Sequence, residues 1–129
     1  MNGRGHVVKV IDGEAVEEDR NGRKLLRIKI TAEVDGVRSD YKITYSRRGG
    51  DNVAEGYAYA RADASGDRET NAERFSALVE ALTGKRPRIH RRSDGRIKIG
   101  CGREHLDGFM RYAELADAIE KWLEETSRP

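Results

Sequence analysis

From Leu26 to Tyr45 apolar and polar residues alternate so regularly that two strands and the turn between them follow directly. In LRIKITAEV, Leu26, Ile28, Ile30, Ala32 and Val34 share one face, and Arg27, Lys29, Thr31 and Glu33 take the other. A period of two marks a half-buried strand. Asp35-Gly36 follows, a pair suited to the left-handed dihedrals of a type I′ hairpin turn. VRSDYKITY then alternates again, with Val37, Ser39, Tyr41, Ile43 and Tyr45 on one side. A two-residue loop predicts Val34 opposite Val37, Ile30 opposite Tyr41 and Ile28 opposite Ile43, so pattern and turn agree. Upstream, HVVKVI predicts a first strand, and Asn21-Gly22 a turn that returns the chain toward Lys24. The intervening EAVEED is too acidic for a strand core and reads as a frayed hairpin arm or a loop.

Helical spacing takes over in TNAERFSALVEALTG, where Ala72, Phe75, Leu78, Val79 and Leu82 form an apolar stripe. Thr70 and Glu73 have capping-box spacing at its start, and Gly84 supplies the stop. A second hairpin, PRIHRRSDGRIKIGC, allows a two-residue turn (Asp94-Gly95) or a three-residue one (Ser93-Asp94-Gly95). The three-residue version pairs Ile89 with Ile99 and Arg91 with Ile97, which the burial pattern favours. Arg88, His90, Arg92, Arg96 and Lys98 then share the outer face. REHLDGFMRYAELADAIEKWLEE predicts one long terminal helix whose stripe is Leu106, Phe109, Met110, Ala113, Ala116, Ile119, Trp122 and Leu123. Trp122 and Met110 read as core. Gly108, unfavourable inside a helix, is expected to mark a close helix–sheet contact.

EGYAYARADASGD, residues 55–67, fits two periods. As a strand it lines up Tyr57, Tyr59 and Arg61 on one face, an aromatic-basic stripe on which nucleic-acid bases could stack. As a helix it is alanine-rich, with Tyr57 and Arg61 one turn apart as a local packing pair. Two preceding glycines, the Asn52/Glu55 spacing of a cap pair and five alanines between positions 54 and 64 favour a helix over 53–64. The expected order is therefore β-β-β-α-α-β-β-α. This is a single α+β domain over 1–129, an antiparallel sheet of two or more β-hairpins with helices packed on one face.

The 129 residues suffice for one core without staples. No apolar run approaches membrane-spanning length, no signal-peptide segment opens the chain, and there is one cysteine, Cys101. A cytoplasmic protein without a membrane partner is expected. Charged residues make up 37% of the chain, glutamine is absent and asparagine occurs four times, a usage that points to a hot environment. The net charge of +2 is unevenly spread. Seven basic residues against one acid give +6 between Lys85 and Lys98, and four against seven give −3 from Arg103 onward.

From Lys24 to Glu125 the stretches KLLRIKITAEVDGVRSDYKI, GYAYARADASGDRETNAERF, ALTGKRPRI and CGREHLDGFMRYAELADAIEKWLEET resemble an uncharacterised paralogous-repeat family of hyperthermophilic crenarchaea. The resemblance implies a hot source and brings no catalytic residues. The order from residue 24 onward also looks like half of a LAGLIDADG homing-endonuclease domain, which drapes a sheet over DNA. Asp63-Ala64-Ser65-Gly66 carries Ser65 where that family's metal-binding acid belongs, so the likeness implies DNA binding without cleavage.

Sites for other chemistry are sparse. His6, His90 and His105 are scattered, and Cys101 and His105 lack a second ligand pair, so no metal is expected. The same two residues have the spacing of a nucleophilic pair, but Cys101 falls on the inward side of its strand, where thiols are inert. RRGGDN and SGDRET lack phosphate-loop spacing. No cofactor or catalytic residue is expected. The basic ribbon carries the functional expectation. Lys85, Arg86, Arg88, His90, Arg92, Arg96 and Lys98 form a nucleic-acid-binding surface for DNA or RNA, with Arg47-Arg48 extending it. The competing expectation is an assembly module, possible as a homo-oligomer, in which these cations pair with the acidic terminal helix or a second subunit.

Overall fold

The computed structural model describes residues 5–47, 53–61 and 67–126. Its first three strands form a meander: β1 (Val8–Arg20), β2 (Arg23–Val34) and β3 (Val37–Arg47). Both turns have the dihedral signature of type I′, with φ of 54° and 79° at Asn21-Gly22 and 54° and 82° at Asp35-Gly36. The β2–β3 register is as predicted, Val34 facing Val37, Ile30 facing Tyr41 and Ile28 facing Ile43.

EAVEED belongs to β1, a continuous 13-residue strand with an irregularity between Val10 and Asp12. The bulge switches the inward parity. Val8 opposes buried Val34 before it, whereas Gly13 and Ala15 oppose buried Ile30 and Ile28 after it. The acids are tolerated because basic residues of β2 face them. Glu14 opposes Lys29, and Glu18 accepts from Arg27 and Arg20 at 2.9 and 2.7 Å.

Residues 54–59 are a strand, β4 (Ala54–Tyr59), not a helix. It pairs antiparallel with β3 on one side and with the second hairpin on the other. Tertiary packing overrides alanine's helix preference here. Ala54, Gly56, Ala58 and Ala60 turn inward and are buried, Gly56 lying against the Tyr45 ring, while Tyr57 and Tyr59 turn out. Asn52 and the stretch 62–66, with its Asp63-Ala64-Ser65-Gly66, lie outside the described residues.

Helix α1 (Arg68–Thr83) starts one turn earlier than its capping-box spacing suggested. Asp67 is the cap, its Oδ1 accepting from the backbone N–H and hydroxyl of Thr70, both at 2.8 Å. Gly84 ends the helix with φ 80°, as expected. The hairpin of β5 (Arg88–Arg91) and β6 (Ile97–Cys101) has the three-residue turn. Arg92 N–H donates to Arg96 O at 2.8 Å, Gly95 has φ 90°, and Ile89 faces Ile99 and Arg91 faces Ile97.

The terminal helix is broken into α2 (Arg103–Phe109) and α3 (Ala113–Thr126). Leu106 and Phe109 are buried in the first piece, and Leu115, Ile119 and Trp122 in the second. At about 100° per residue, one straight helix would aim these two groups to opposite sides. Bonds from Arg111 N to Gly108 O and from Tyr112 N to Phe109 O, at 3.2 and 3.1 Å, tighten the chain, and α3 restarts on Tyr112 O. Leu115 therefore replaces the expected Ala113 and Ala116 as a core position. Gly108 does mark a close contact, but with α1: a Cβ there would meet Thr83 Cβ at 2.6 Å.

The strands form one antiparallel sheet in the order β1-β2-β3-β4-β6-β5. All three helices cover one face, where α3 packs on β1 and β2, and α1 and α2 pack on β6 and on each other. Trp122, fully buried, donates from Nε1 to Lys24 O at 2.9 Å and ties α3 to β2. Among the described residues the opposite face carries no helix. No helix among the described residues is long and apolar enough to cross a membrane.

Candidate nucleic-acid interface

The open face is built by the outward residues of all six strands. One cross-strand row runs Val16, Arg27, Thr44, Tyr57, Gly100, Arg88 from β1 to β5. A neighbouring set places Tyr59 beside Lys98, and Lys98 beside His90. Acids are spread over the face, with Asp12, Glu14 and Glu18 on β1, Glu33 on β2, Asp40 on β3 and Glu55 on β4, whereas on β5 and β6 the outward strand residues are Arg88, His90, Lys98 and Gly100.

At the basic end, Arg88, His90, Arg92, Arg96 and Lys98 share the outer face, as the three-residue turn requires. Arg88, His90 and Lys98 are in no ion pair among the described residues. Arg92 and Arg96 both approach Asp94, with nitrogens 3.7 and 2.9 Å from Oδ2. The Arg96 backbone N–H and then its guanidinium hold the Asp94 carboxyl below the ordinary range. None of these cations meets the acidic α3, which lies across the sheet. Glu125 of α3 is used instead by Lys24 and Lys121, at 2.9 and 3.9 Å.

Three other basic positions fall elsewhere. Arg86 lines a depression on the helix side with Glu69, Glu73 and Arg91, and Arg91 itself binds Glu69 at 2.6 Å. Lys85 is exposed in the α1–β5 connection. Arg47 does not extend the ribbon: it turns to the helix side, stacks 5.3 Å from the Trp122 ring and donates to Thr126 Oγ1 and Leu123 O. Burial lowers its pKa. Arg48 lies outside the described residues.

Reading 53–64 as a helix concealed the aromatic part of the face. Tyr57 and Tyr59 stand outward from β4, 37% and 36% exposed, their rings 6.0 Å apart and inclined at 73°. Each ring is flanked by a cation from β6 or its turn: Lys98 Nζ lies 5.6 Å from the Tyr57 centroid, and Arg96 Cζ 5.5 Å from that of Tyr59. Arg61 continues the stripe and is anchored on Ser39 Oγ and Asp40 O at 3.2 and 3.0 Å. The period-two alternation of YAYAR was the sequence signal for this stripe. Beside it lies a concavity of about 810 Å³, lined by Ser46, Glu55, Tyr57, Arg88, His90 and Lys98 among others.

Cys101 and His105 do not form a reactive pair. Gly102 N–H donates to His105 Nδ1 at 2.9 Å, which leaves Nε2 to carry the proton and donate to Arg86 O at 3.0 Å. Both ring nitrogens are thus committed to backbone. Burial pushes the Cys101 thiol up to about 12, far from a thiolate at neutral pH. No group of three or more His, Cys, Asp or Glu side chains placed to hold a metal ion occurs among the described residues.

No protein-family profile, curated protein or solved structure matches this chain at a significant level.

Proposed function

We propose that the open sheet face binds nucleic acid without catalysis, the β5–β6 hairpin supplying the phosphate contacts. One observation carries this reading: four cations, Arg88, Arg92, Arg96 and Lys98, stand together with His90 on a sheet face that no described helix covers, Arg88 and Lys98 in no ion pair among the described residues, next to two exposed tyrosines. Cations that serve only the fold are expected to face carboxylates, as Arg91 and Lys24 do. A polyanion neutralised by such a surface releases counterions, so binding falls steeply with salt.

The test is a fluorescence-anisotropy titration with DNA and RNA at two salt concentrations. Changing Arg88, Arg92 and Arg96 together to alanine is expected to remove most binding, flatten the salt slope by about one per lost phosphate contact and leave the circular dichroism spectrum intact. Undiminished binding by the folded triple variant overturns the reading.

Assembly is supported by a different observation. Edge strand β1 has one free side, and Val10, Ile11 and Val16 on it are 37–52% exposed. A long edge strand with an unpaired backbone is a template for strand addition. Light scattering that reports a salt-insensitive oligomer, dispersed by Val16→Lys, favours this second reading.

A further inference from the structure

We infer that the occupant of the open face is single-stranded, with two unpaired bases stacked on Tyr57 and Tyr59; this rests on the nucleic-acid reading above. The argument is geometric. Neighbouring bases in a duplex lie parallel at about 3.4 Å and hide their faces from a protein surface. Two rings 6.0 Å apart and inclined at 73° cannot extend such a stack. They can each receive one base of a strand whose bases are splayed, and base–aromatic stacking tolerates any sequence because every base has a π-face.

The charges around the rings fit the same occupant. Lys98 and Arg96 lie over one face of the Tyr57 and Tyr59 rings respectively, so a nucleotide stacked on the other face of either ring has a cation close to its phosphate. Gly100 stands between Tyr57 and Arg88 in their cross-strand row with no side chain, which leaves the Arg88 guanidinium lying over its backbone. The surface from the Tyr57 ring to Arg88 is therefore unobstructed by any third side chain of that row. The concavity at this place, about 810 Å³, is of the size that holds a compact organic ligand.

Its two sides differ in charge. Glu55 and Ser46 line one side, and Arg88, His90 and Arg92 the other. Phosphate is drawn to the guanidinium-lined side. The strand thus runs with its phosphates toward the β5–β6 hairpin.

Anisotropy with fluorescein-labelled 12-mers of single-stranded DNA, single-stranded RNA and duplex DNA, compared at each of two salt concentrations, tests this. Either single strand is expected to bind at least tenfold more tightly than the duplex. Tyr57→Leu/Tyr59→Leu, which keeps apolar strand residues but removes the π-faces, should weaken single-strand binding by about tenfold or more and leave the salt slope unchanged. Tyr57→Phe/Tyr59→Phe should bind like wild type. Duplex bound as tightly as either single strand, or a folded leucine variant that binds single strands normally, overturns the inference and leaves the nucleic-acid reading standing. Absence of salt-sensitive binding to all three probes overturns both. The wild-type comparison of single and double strands decides the matter even if the leucine variant fails to fold.

Discussion

The ring of Tyr45 occupies the space that a side chain at Gly56 would need: an ideal Cβ there falls 2.6 Å from Cε1 of the ring. The two residues are cross-strand partners, and the Tyr45 hydroxyl reaches past them to donate to Gly102 O at 2.9 Å. Because Tyr57 follows Gly56, the same contact fixes the height at which the outer aromatic residue is presented.

Gly56→Ala is accordingly expected to destabilise the fold by about 1–3 kcal/mol, the usual cost of overpacking a rigid neighbour. In a Tyr45→Leu background the same substitution should cost less, and a denaturant double-mutant cycle reads the difference as coupling. Equal costs in the two backgrounds would show that the ring is not the obstacle.

Gly108 poses a contest between two opposed effects. Alanine gains about 1 kcal/mol of helix propensity over glycine, but its Cβ would lie 2.6 Å from Thr83 Cβ and 2.8 Å from Thr83 Cα. Backbone cannot swing aside as a flexible side chain can, so overpacking of about 1–3 kcal/mol wins. Gly108→Ala should lower the urea midpoint. A raised midpoint would mean that α2 shifts freely against α1.

The β2–β3 pair was fully legible, because Asp35-Gly36 fixes its register locally, and Asn21-Gly22 marked the turn before it, but the acids of EAVEED hid the second half of β1. The basic face was legible through the isoleucines at 89, 97 and 99, whose inward demand decided the turn length. What the sequence hid depended on distant partners. Ala54, Ala58 and Ala60 look helical until β3 and β6 are placed on either side of them, and so Tyr57 and Tyr59 were misassigned. The break at residues 110–112 was likewise invisible to a simple stripe, since only the separate packing of Leu106 and Leu115 demands it. Asp67 was overlooked as a cap because Thr70, its hydrogen-bond donor, itself looks like one.

Glu17 predicts an unusual pH response. Its Oε2 is buried without a protein donor, and burial, followed by a hydrogen bond with Glu125, raises its pKa above the ordinary 4.5. The folded chain keeps this proton after the unfolded chain has lost it, so stability falls as pH climbs from 4.5 through the raised value. Glu125, lowered chiefly by its hydrogen bond from Lys24, acts oppositely: its contribution is present above 4.5 and is lost as pH falls through the lowered value. Glu17→Gln keeps a donor toward Glu125 without an ionisation. Its Tm should exceed that of wild type near pH 7 and its profile should be flatter above pH 4.5; a lower Tm near pH 7 contradicts this assignment.

Cys101 is expected to resist iodoacetamide near pH 8 in the native protein and to react fully in denaturant. Its thiol is fully buried and pushed up to about 12, so both access and thiolate are lacking. Native labelling at the rate of a free thiol would show that the strand end opens readily.

The sheet is made of two sequence-local pieces, the β1–β4 meander and the β5–β6 hairpin, joined by a single seam between β4 and β6 from Gly56–Cys101 to Tyr59–Lys98. Both cation–ring contacts of the open face cross that seam, Lys98 to Tyr57 and Arg96 to Tyr59. Anything that grips the rings and the hairpin together would rivet the halves, making occupancy and cohesion of the molecule one and the same equilibrium.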